Sequence, residues 1–160
     1  MIPVFLGLGS NIGDRKSTIL SAFGELSSFL QGARLSRLWG SRPLYVANQP
    51  DFVNAVATGE TELAPRDLLI AVNLIEAAHG RDRSREIPKG PRNLDIDILL
   101  YGDLVIQEPG LVVPHAGLRE RQFALRPLLD LNPGLRDPSS GVAYSDMAKA
   151  LPEQGIYLLV

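Results

Sequence analysis

Hydrophobic positions recur with two periods along this chain, one typical of strands and the other typical of helices. Apolar segments of strand length occur in five places, which are PVFLGLGS, ARLSRLW, FVNAVATGETEL, LDIDILLY and IYLLV. Helical spacing predicts four helices, which run from Asp14 as N-cap to Gly32, from Pro65 to Gly80, over 123–131 and over 145–151. The apolar face of the first helix is predicted to be Leu20, Phe23, Leu26 and Leu30.

Hairpins mixed with helices indicate an α+β fold. The dipeptide Gly102-Asp103 separates LDIDILLY from LVIQ and predicts a two-residue hairpin between them. The segment 40–51, GSRPLYVANQPD, has no periodicity and predicts a long ordered loop. We therefore expect a ferredoxin-like sandwich, in which helices cover a largely antiparallel sheet.

Two aspartates interrupt the strand LDIDILLY. Strand alternation predicts two faces, one with Leu94, Ile96, Ile98 and Leu100 and the other with Asp95, Asp97, Leu99 and Tyr101. The Cα atoms of the two aspartates should be roughly 6.6 Å apart, which is close enough for their carboxylates to share a metal or bracket a pair of metals. The same pattern also fits two acids on a solvated strand face.

The segment 81–92, directly before this strand, favours the interpretation of the two aspartates as metal ligands. It contains five basic residues, which are Arg81, Arg83, Arg85, Lys89 and Arg92. Mg²⁺ takes carboxylate, water and phosphate oxygens, and guanidinium groups bind the phosphate oxygens that a metal leaves free. The combination predicts a site for a metal-bound polyphosphate, with surface ion pairs in a solvated loop as the alternative.

Composition limits the function classes. The chain has 160 residues, 45% of them hydrophobic, which fits a single domain over 1–160. The net charge of −2 gives no general attraction to nucleic acid or to an anionic membrane. The lack of cysteine excludes disulfides and thiolate catalysis, and the apolar runs are too short for a membrane span. We expect a cytoplasmic protein.

Five segments resemble, in order and approximate spacing, those of the 6-hydroxymethyl-7,8-dihydropterin pyrophosphokinase family. They are FLGLGSNIGDR, NQPDFVNAV, IEAAHGRDR, GPRNLDIDILLYGD and VPHAGLRERQFALRPL, and they cover most of residues 4–131. The glycine turn is a weak signal, whereas G-P-R-x-x-D-x-D is a strong one. The resemblance implies a ferredoxin-like α+β fold and an enzyme of folate biosynthesis. That enzyme would transfer the terminal pyrophosphoryl unit of ATP to the pterin hydroxymethyl group and release AMP.

The resemblance also implies roles for residues on the nucleotide side. Asp95 and Asp97 match ligands of two Mg²⁺ ions that bridge the triphosphate of ATP, in agreement with the strand pattern. Arg81 and Arg92 match catalytic arginines that contact phosphates. Further positions expected near ATP are Glu76, Arg83, Ile98, His115 and Arg121. Without the resemblance, a helix-surface acid at position 76 and a loop histidine at position 115 fit the sequence as well.

On the pterin side, Phe52 and Phe123 match two aromatic residues that sandwich the ring, and Asn54 matches a residue that hydrogen-bonds its edge. A flat heterocycle gains from stacking on both faces, and an amide can both donate and accept. Ser41 and Leu44 match a loop that contacts the pterin, largely through its backbone. Either phenylalanine taken alone also fits core packing.

Four positions depart from the family pattern. Pro88 stands where a basic residue is usual, and Lys89 stands where an aromatic residue often precedes Gly-Pro-Arg. Gly110 replaces a basic residue found in some relatives, and Ala116 replaces an aromatic residue found in others. These departures concern ATP affinity and loop closure rather than the metal and pterin positions.

Two other function classes remain open from the residues alone. Another metal-dependent phosphotransferase could use the same aspartates and arginines, but it would form pyrophosphate or free phosphate. A non-catalytic nucleotide-sensing or RNA-binding module would bind without turnover, although the negative charge and the lack of an aromatic RNA-stacking strand oppose RNA. The expected partners are two small molecules, ATP and the pterin, and the expected state is a monomer.

Overall fold

The computed structural model describes residues 1–43, 48–80 and 93–159. The strands are β1 (Ile2–Ser10), β2 (Gln31–Leu35), β3 (Trp39–Ser41), β4 (Phe52–Thr61), β5 (Asp95–Tyr101), β6 (Ile106–Glu108), β7 (Leu111–Val113) and β8 (Ile156–Leu158). The helices are α1 (Arg15–Leu26), α2 (Pro65–Ala78), α3 (Gln122–Leu131) and α4 (Tyr144–Ala150), with a short 3-10 turn at Leu118–Glu120.

The main sheet has the order β5-β1-β4-β3-β8, and β2 also pairs with β4. Every pairing described in it is antiparallel. The chain order β1, α1, β2 with β3, β4, α2, β5 is the βαββαβ arrangement of ferredoxin-like folds. The predicted α+β class and the largely antiparallel sheet are confirmed.

Helices cover both faces of the sheet. On one face, α1 and α2 pack against buried residues of β1, β4 and β5, such as Leu6, Ala55 and Ile96. On the other face, α3 and α4 pack against Val56 and Leu99. The core therefore consists of two hydrophobic layers separated by the sheet.

The first helix begins as predicted but ends earlier. The Asp14 side chain accepts a hydrogen bond from the Ser17 amide at the N-terminus. The helix ends at Leu26 rather than at Gly32, which has a φ of +65° and lies in β2. Leu20, predicted for the apolar face, is 55% exposed. The buried side chains of the helix are Ile19, Ala22 and Leu26.

A bulge in β5 breaks the predicted alternation at its C-terminal end. Leu100 lies opposite Phe5, but the next residue of β1 lies opposite Ile98, so Leu99 is an extra residue. Leu99 and Leu100 consequently both pack with α3 and α4, whereas Tyr101 packs with the opposite layer. The predicted faces are confirmed before the bulge and are wrong for Leu100 and Tyr101.

The predicted hairpin around Gly102-Asp103 is also wrong. The Leu104 amide donates to the Tyr101 carbonyl, so a tight turn does form there. However, β5 pairs with β1, and the segment after the turn forms β6, which pairs with β7. The turn takes the chain out of the main sheet instead of reversing it within the sheet.

The other sequence-predicted elements are close to those observed. The segment ARLSRLW contributes to two short strands, β2 and β3, instead of one. The loop predicted over 40–51 begins only after β3, and residues 44–47 lie outside the described part of the chain. The helices predicted over 123–131 and 145–151 correspond to α3 and α4, and the final strand corresponds to β8. None of the helices in the described ranges is long and apolar enough to span a membrane.

Candidate functional site

Two glycines of β1 lie between the predicted metal and pterin residues. Gly9 lies opposite Asp95 of β5 on one side and opposite Asn54 of β4 on the other, and Gly7 lies opposite Asp97. Directly opposed residues of antiparallel strands share a face, so these side chains all lie on the α3 side of the sheet. A Cβ atom at Gly9 would lie 3.3 Å from Asn54 Oδ1. Gly9 is itself buried, and Phe52 Cδ1 lies 3.9 Å from the same Cβ position, so β1 has little room for a side chain between the acids and the amide.

The aspartates occupy this face as predicted. Asp95 and Asp97 are partly exposed, whereas Ile96 between them is buried on the opposite side. His115 Nε2 lies 3.6 Å from Asp97 Oδ1, beyond hydrogen-bond length. The Gly117 amide donates to His115 Nδ1 at 3.0 Å. Because Nδ1 accepts, the neutral imidazole carries its proton on Nε2, the nitrogen that faces Asp97.

Glu76 lies beneath the aspartates rather than on the helix surface. It projects from α2, is 1% exposed, and its Oε2 accepts a 2.8 Å hydrogen bond from the Ile96 amide. This bond joins α2 to the segment of β5 that carries Asp95 and Asp97. The sequence alternative of a helix-surface acid is therefore wrong.

The predicted pterin residues lie next to Gly9. Asn54 and Ser41 are both buried, and Asn54 Nδ2 donates to Ser41 Oγ at 2.7 Å. Phe52 lies two residues before Asn54 on the same face of β4 and is partly exposed. Phe123 lies in the first turn of α3 on this side of the sheet and is also partly exposed. The fold therefore brings both aromatic residues and the amide to one side of the sheet.

Arg121 joins the 3-10 turn to α3. Its Cζ lies 5.6 Å from the centroid of the Phe123 ring, within the range of a cation–π contact. One cationic residue predicted to bind nucleotide thus touches one aromatic residue predicted to bind pterin.

Some of the remaining predicted site positions lie within the described residues and others lie outside them. The Ile98 side chain is buried in the layer under α1 and α2, so only its backbone could contribute to a site on the opposite face. Gly110 lies in the turn between β6 and β7 with a φ of +77°, and Ala116 is exposed. Several predicted positions lie outside the described residues, namely Leu44, Arg81, Arg83, Arg85, Pro88, Lys89 and Arg92.

The described side chains provide part of a metal site. No group of three or more His, Asp or Glu residues arranged to hold a metal occurs within 1–43, 48–80 and 93–159. Asp95 and Asp97 nevertheless offer two carboxylates on one face of an edge strand. Hard oxygen ligands of this kind suit Mg²⁺, which is commonly bound by one or two carboxylates together with water and substrate phosphates. The donor set therefore fits magnesium delivered with a nucleotide.

Sequence reasoning missed the contacts that hold the loop before Phe52. Asn11 Nδ2 donates to Gln49 Oε1 at 2.7 Å and to the Pro50 carbonyl at 3.0 Å. The Arg15 guanidinium donates to the Asp51 carbonyl at 2.6 Å. These partners are more than 30 residues apart in the chain, and no local spacing signals such contacts. The turn SNIGD between β1 and α1 therefore supports the pterin side of the face.

Comparison of the sequence with known proteins finds one matching family and several close relatives. The profile of the 7,8-dihydro-6-hydroxymethylpterin-pyrophosphokinase family matches residues 5–133. The 2-amino-4-hydroxy-6-hydroxymethyldihydropteridine pyrophosphokinase of Pseudomonas aeruginosa is 44% identical over 156 residues, covering 96% of this chain and 94% of the relative. The folic acid synthesis protein fol1 of Schizosaccharomyces pombe is 42% identical, over 96% of this chain but only 21% of the relative. This chain thus spans nearly all of the bacterial relative and about a fifth of the fungal one.

Solved structures show the same fold. A crystal structure of an HPPK-DHPS in complex with substrates matches 93% of this chain and 43% of its own with a TM-score of 0.74, at 13% sequence identity. A Plasmodium falciparum HPPK-DHPS triple mutant matches 92% of this chain and 44% of its own with a TM-score of 0.72, at 16% identity. At such low identity these two structures support the fold alone.

Proposed function

This chain belongs to the 7,8-dihydro-6-hydroxymethylpterin-pyrophosphokinase family, and from that premise we propose how its own residues transfer pyrophosphate from ATP to the pterin. The products are AMP and the pterin pyrophosphate, as folate synthesis requires. The observation that carries the proposal is the shared face of the sheet, where Asp95 and Asp97 on β5 and Asn54 on β4 flank Gly9. A pterin at the amide and a triphosphate at the acids would meet over this glycine.

The pterin is assigned to the side of Asn54. The bond from Asn54 Nδ2 to Ser41 Oγ fixes the amide, so its Oδ1 can accept from the pterin edge. Phe52 and Phe123 stack on the two faces of the ring, since both are partly exposed on this side. Leu44, outside the described residues, contributes through its backbone.

The nucleotide is assigned to the side of the aspartates. Asp95 and Asp97 would hold two Mg²⁺ ions, which when bound neutralise phosphate charge and orient the triphosphate. His115 and Arg121 donate hydrogen bonds to ATP, and Glu76 acts indirectly by fixing the backbone of Ile96. Arg83 and the backbone of Ile98 complete the nucleotide contacts.

The reaction is an in-line displacement at the β-phosphorus of ATP. The pterin hydroxymethyl oxygen forms a bond to this phosphorus, the bond from it to the oxygen of the α-phosphate breaks, and AMP leaves. The hydroxyl proton is released to solvent during the transfer, without a side-chain base. Arg81 and Arg92 stabilise the charge on the transferred group, so the acceleration comes from positioning and electrostatics.

The test is a product assay with purified protein, Mg-ATP and 6-hydroxymethyl-7,8-dihydropterin, with controls that omit the pterin or magnesium. The proposal expects AMP and pterin pyrophosphate in equal amounts, formed only when both are present. ADP as the product, or AMP formed without pterin, would instead support another phosphotransferase. ATP binding without turnover would support a sensing module.

We also propose that residues 1–160 act as one monomeric domain, since the residues assigned to both substrates come from one chain. Size-exclusion chromatography with light scattering, together with the product assay at several protein concentrations, tests this. The expected result is the monomer mass and a specific activity independent of concentration. A dimer whose dissociation abolishes activity would contradict it.

A further inference from the structure

Gly117 leaves the space that the Arg121 side chain occupies. A Cβ atom built at Gly117 would lie 2.6 Å from both Cζ and Nε of Arg121, and 3.0 Å from one terminal nitrogen. Non-bonded atoms do not approach each other this closely, so a side chain at position 117 would displace the guanidinium. The backbone of Gly117 has φ −88° and ψ −5°, which any L-residue can adopt. Glycine is therefore needed here for space and not for conformation.

Gln154 holds the backbone on both sides of Arg121. Its Oε1 accepts from the Gln122 amide at 3.0 Å, and its Nε2 donates to the Glu120 carbonyl at 3.0 Å. A single side-chain amide thus joins the residues before and after Arg121. The Gln122 amide lies at the N-terminus of α3, where the N-cap residue makes no side-chain capping bond of its own.

The segment that supplies Gln154 lies beyond the region that the family profile matches, which ends at residue 133. No local sequence pattern marks Gly117 or Gln154 as a functional residue. Their contacts with Arg121 and its neighbours depend on the three-dimensional arrangement.

We propose that Gly117 and Gln154 are positioning residues that orient Arg121 towards the nucleotide. Gly117 provides room for the guanidinium to lie between the 3-10 turn and the Phe123 ring, and Gln154 fixes the backbone from which Arg121 projects. The inference rests on the proposed function, in which Arg121 contacts ATP.

The decisive variant is Gly117→Ala, compared with Arg121→Ala and with the double variant. A methyl group at position 117 meets the end of a flexible side chain and keeps the amide that donates to His115, so the fold should be retained. The KM for ATP should rise about tenfold, the scale expected for loss of a charge-assisted hydrogen bond. The KM for the pterin should change less than about twofold. In the Arg121→Ala background, Gly117→Ala should cause no further rise.

Gly24→Ala is the matched control, because Gly24 is exposed on α1 and nothing lies within 4 Å of its added Cβ. Gln154→Leu should raise the KM for ATP in the same direction as Gly117→Ala. Calorimetric binding of a non-hydrolysable ATP analogue to each variant gives a readout that does not need turnover.

The outcomes separate the inference from the proposed function. A rise in KM and in analogue Kd for Arg121→Ala but not for Gly117→Ala overturns the positioning role alone. No rise for Arg121→Ala overturns both the nucleotide role of Arg121 and the inference built on it. An equal rise for Gly117→Ala with and without Arg121 shows that the glycine acts by another route, which also overturns the inference.

Discussion

The buried carboxylate of Glu76 accepts a 2.8 Å hydrogen bond from the backbone amide of Ile96, the residue between Asp95 and Asp97. The bond joins the interior of the α2 layer to the exposed face of the edge strand β5. The position of the two carboxylates therefore depends on a residue that is itself inaccessible to substrate.

Glu76→Leu should destabilise the protein more than Glu76→Gln does. Leucine removes the acceptor and leaves the Ile96 amide buried without this partner, at a cost of about 1–3 kcal/mol in the free energy of unfolding. Glutamine keeps an oxygen that can accept the bond. Urea denaturation at neutral pH compares the two variants. Equal destabilisation would show that charge or volume at position 76, and not this hydrogen bond, determines its contribution.

Ser41→Ala should weaken pterin binding selectively. The substitution removes the acceptor of the Asn54 amide bond, so the amide is free to turn away from the pterin edge. We expect the KM for the pterin to rise about tenfold, with the KM for ATP unchanged. Ser21→Ala, at an exposed position of α1, is the control. Equal rises in both constants would indicate a general disturbance of the site.

Gly9→Val tests the need for a glycine between the two predicted halves of the site. Its Cβ would lie 3.3 Å from Asn54 Oδ1 and 3.9 Å from Phe52 Cδ1, so its methyl groups would displace the side chains proposed to bind the pterin. We expect pterin affinity to fall by more than about tenfold, as measured by fluorescence titration, while the circular dichroism spectrum stays that of the parent. Unchanged affinity would place the pterin elsewhere.

Tyr157 should make stability depend on pH at alkaline values. Its hydroxyl donates to Asp51 Oδ2 at 2.6 Å. That hydrogen bond, followed by burial, raises the pKa of Tyr157 above its ordinary value of 10.0. Because the pKa of Tyr157 is higher in the folded state than in the unfolded state, its hydrogen bond contributes fully to the free energy of unfolding below the unfolded-state pKa. That contribution is lost as the pH rises through the folded-state pKa.

The Tyr157→Phe variant measures this contribution, since it removes the hydroxyl and keeps the ring that packs against Gly40. Because Tyr157 is 41% exposed, water weakens the bond, and we expect the parent to be more stable by at most about 1 kcal/mol at pH 8. The difference should shrink as the pH rises above about 10. A difference that stays constant up to pH 11 would rule out the hydroxyl bond as its source.

Local patterns predicted most of the helices and strands and the placement of the acidic pair. The alternation of LDIDI put Asp95 and Asp97 on one face because the period of a strand is fixed, and Asp14 and Pro65 marked helix starts for reasons of capping and φ. The bulge at Leu99 was not predictable, because it depends on how β5 aligns with β1. Register between strands is set by packing that no short segment encodes.

The contacts that support the site could not be predicted from local sequence patterns either, because they join residues that are far apart in the chain. Gln154 reaches residues 32 and 34 positions away, and Asn11 reaches Gln49 across 38 positions. The segment PVFLGLGS placed Gly9 in a predicted strand, as observed, but nothing in it showed that the lack of a side chain at Gly9 matters between two neighbouring strands. Such roles become visible only when sheet register is known.

The role of the aspartate pair is tested most directly by the single-turnover rate and the pterin affinity of Asp97→Asn, measured on the same preparation. Asparagine keeps the shape of the side chain and removes the charge proposed to hold Mg²⁺. We expect a loss of about 100- to 1,000-fold in the rate of AMP formation, on the scale of removing one strong stabilising contact from the transition state. We also expect an unchanged Kd for the pterin. A near-parental rate would contradict the role assigned to the aspartate pair.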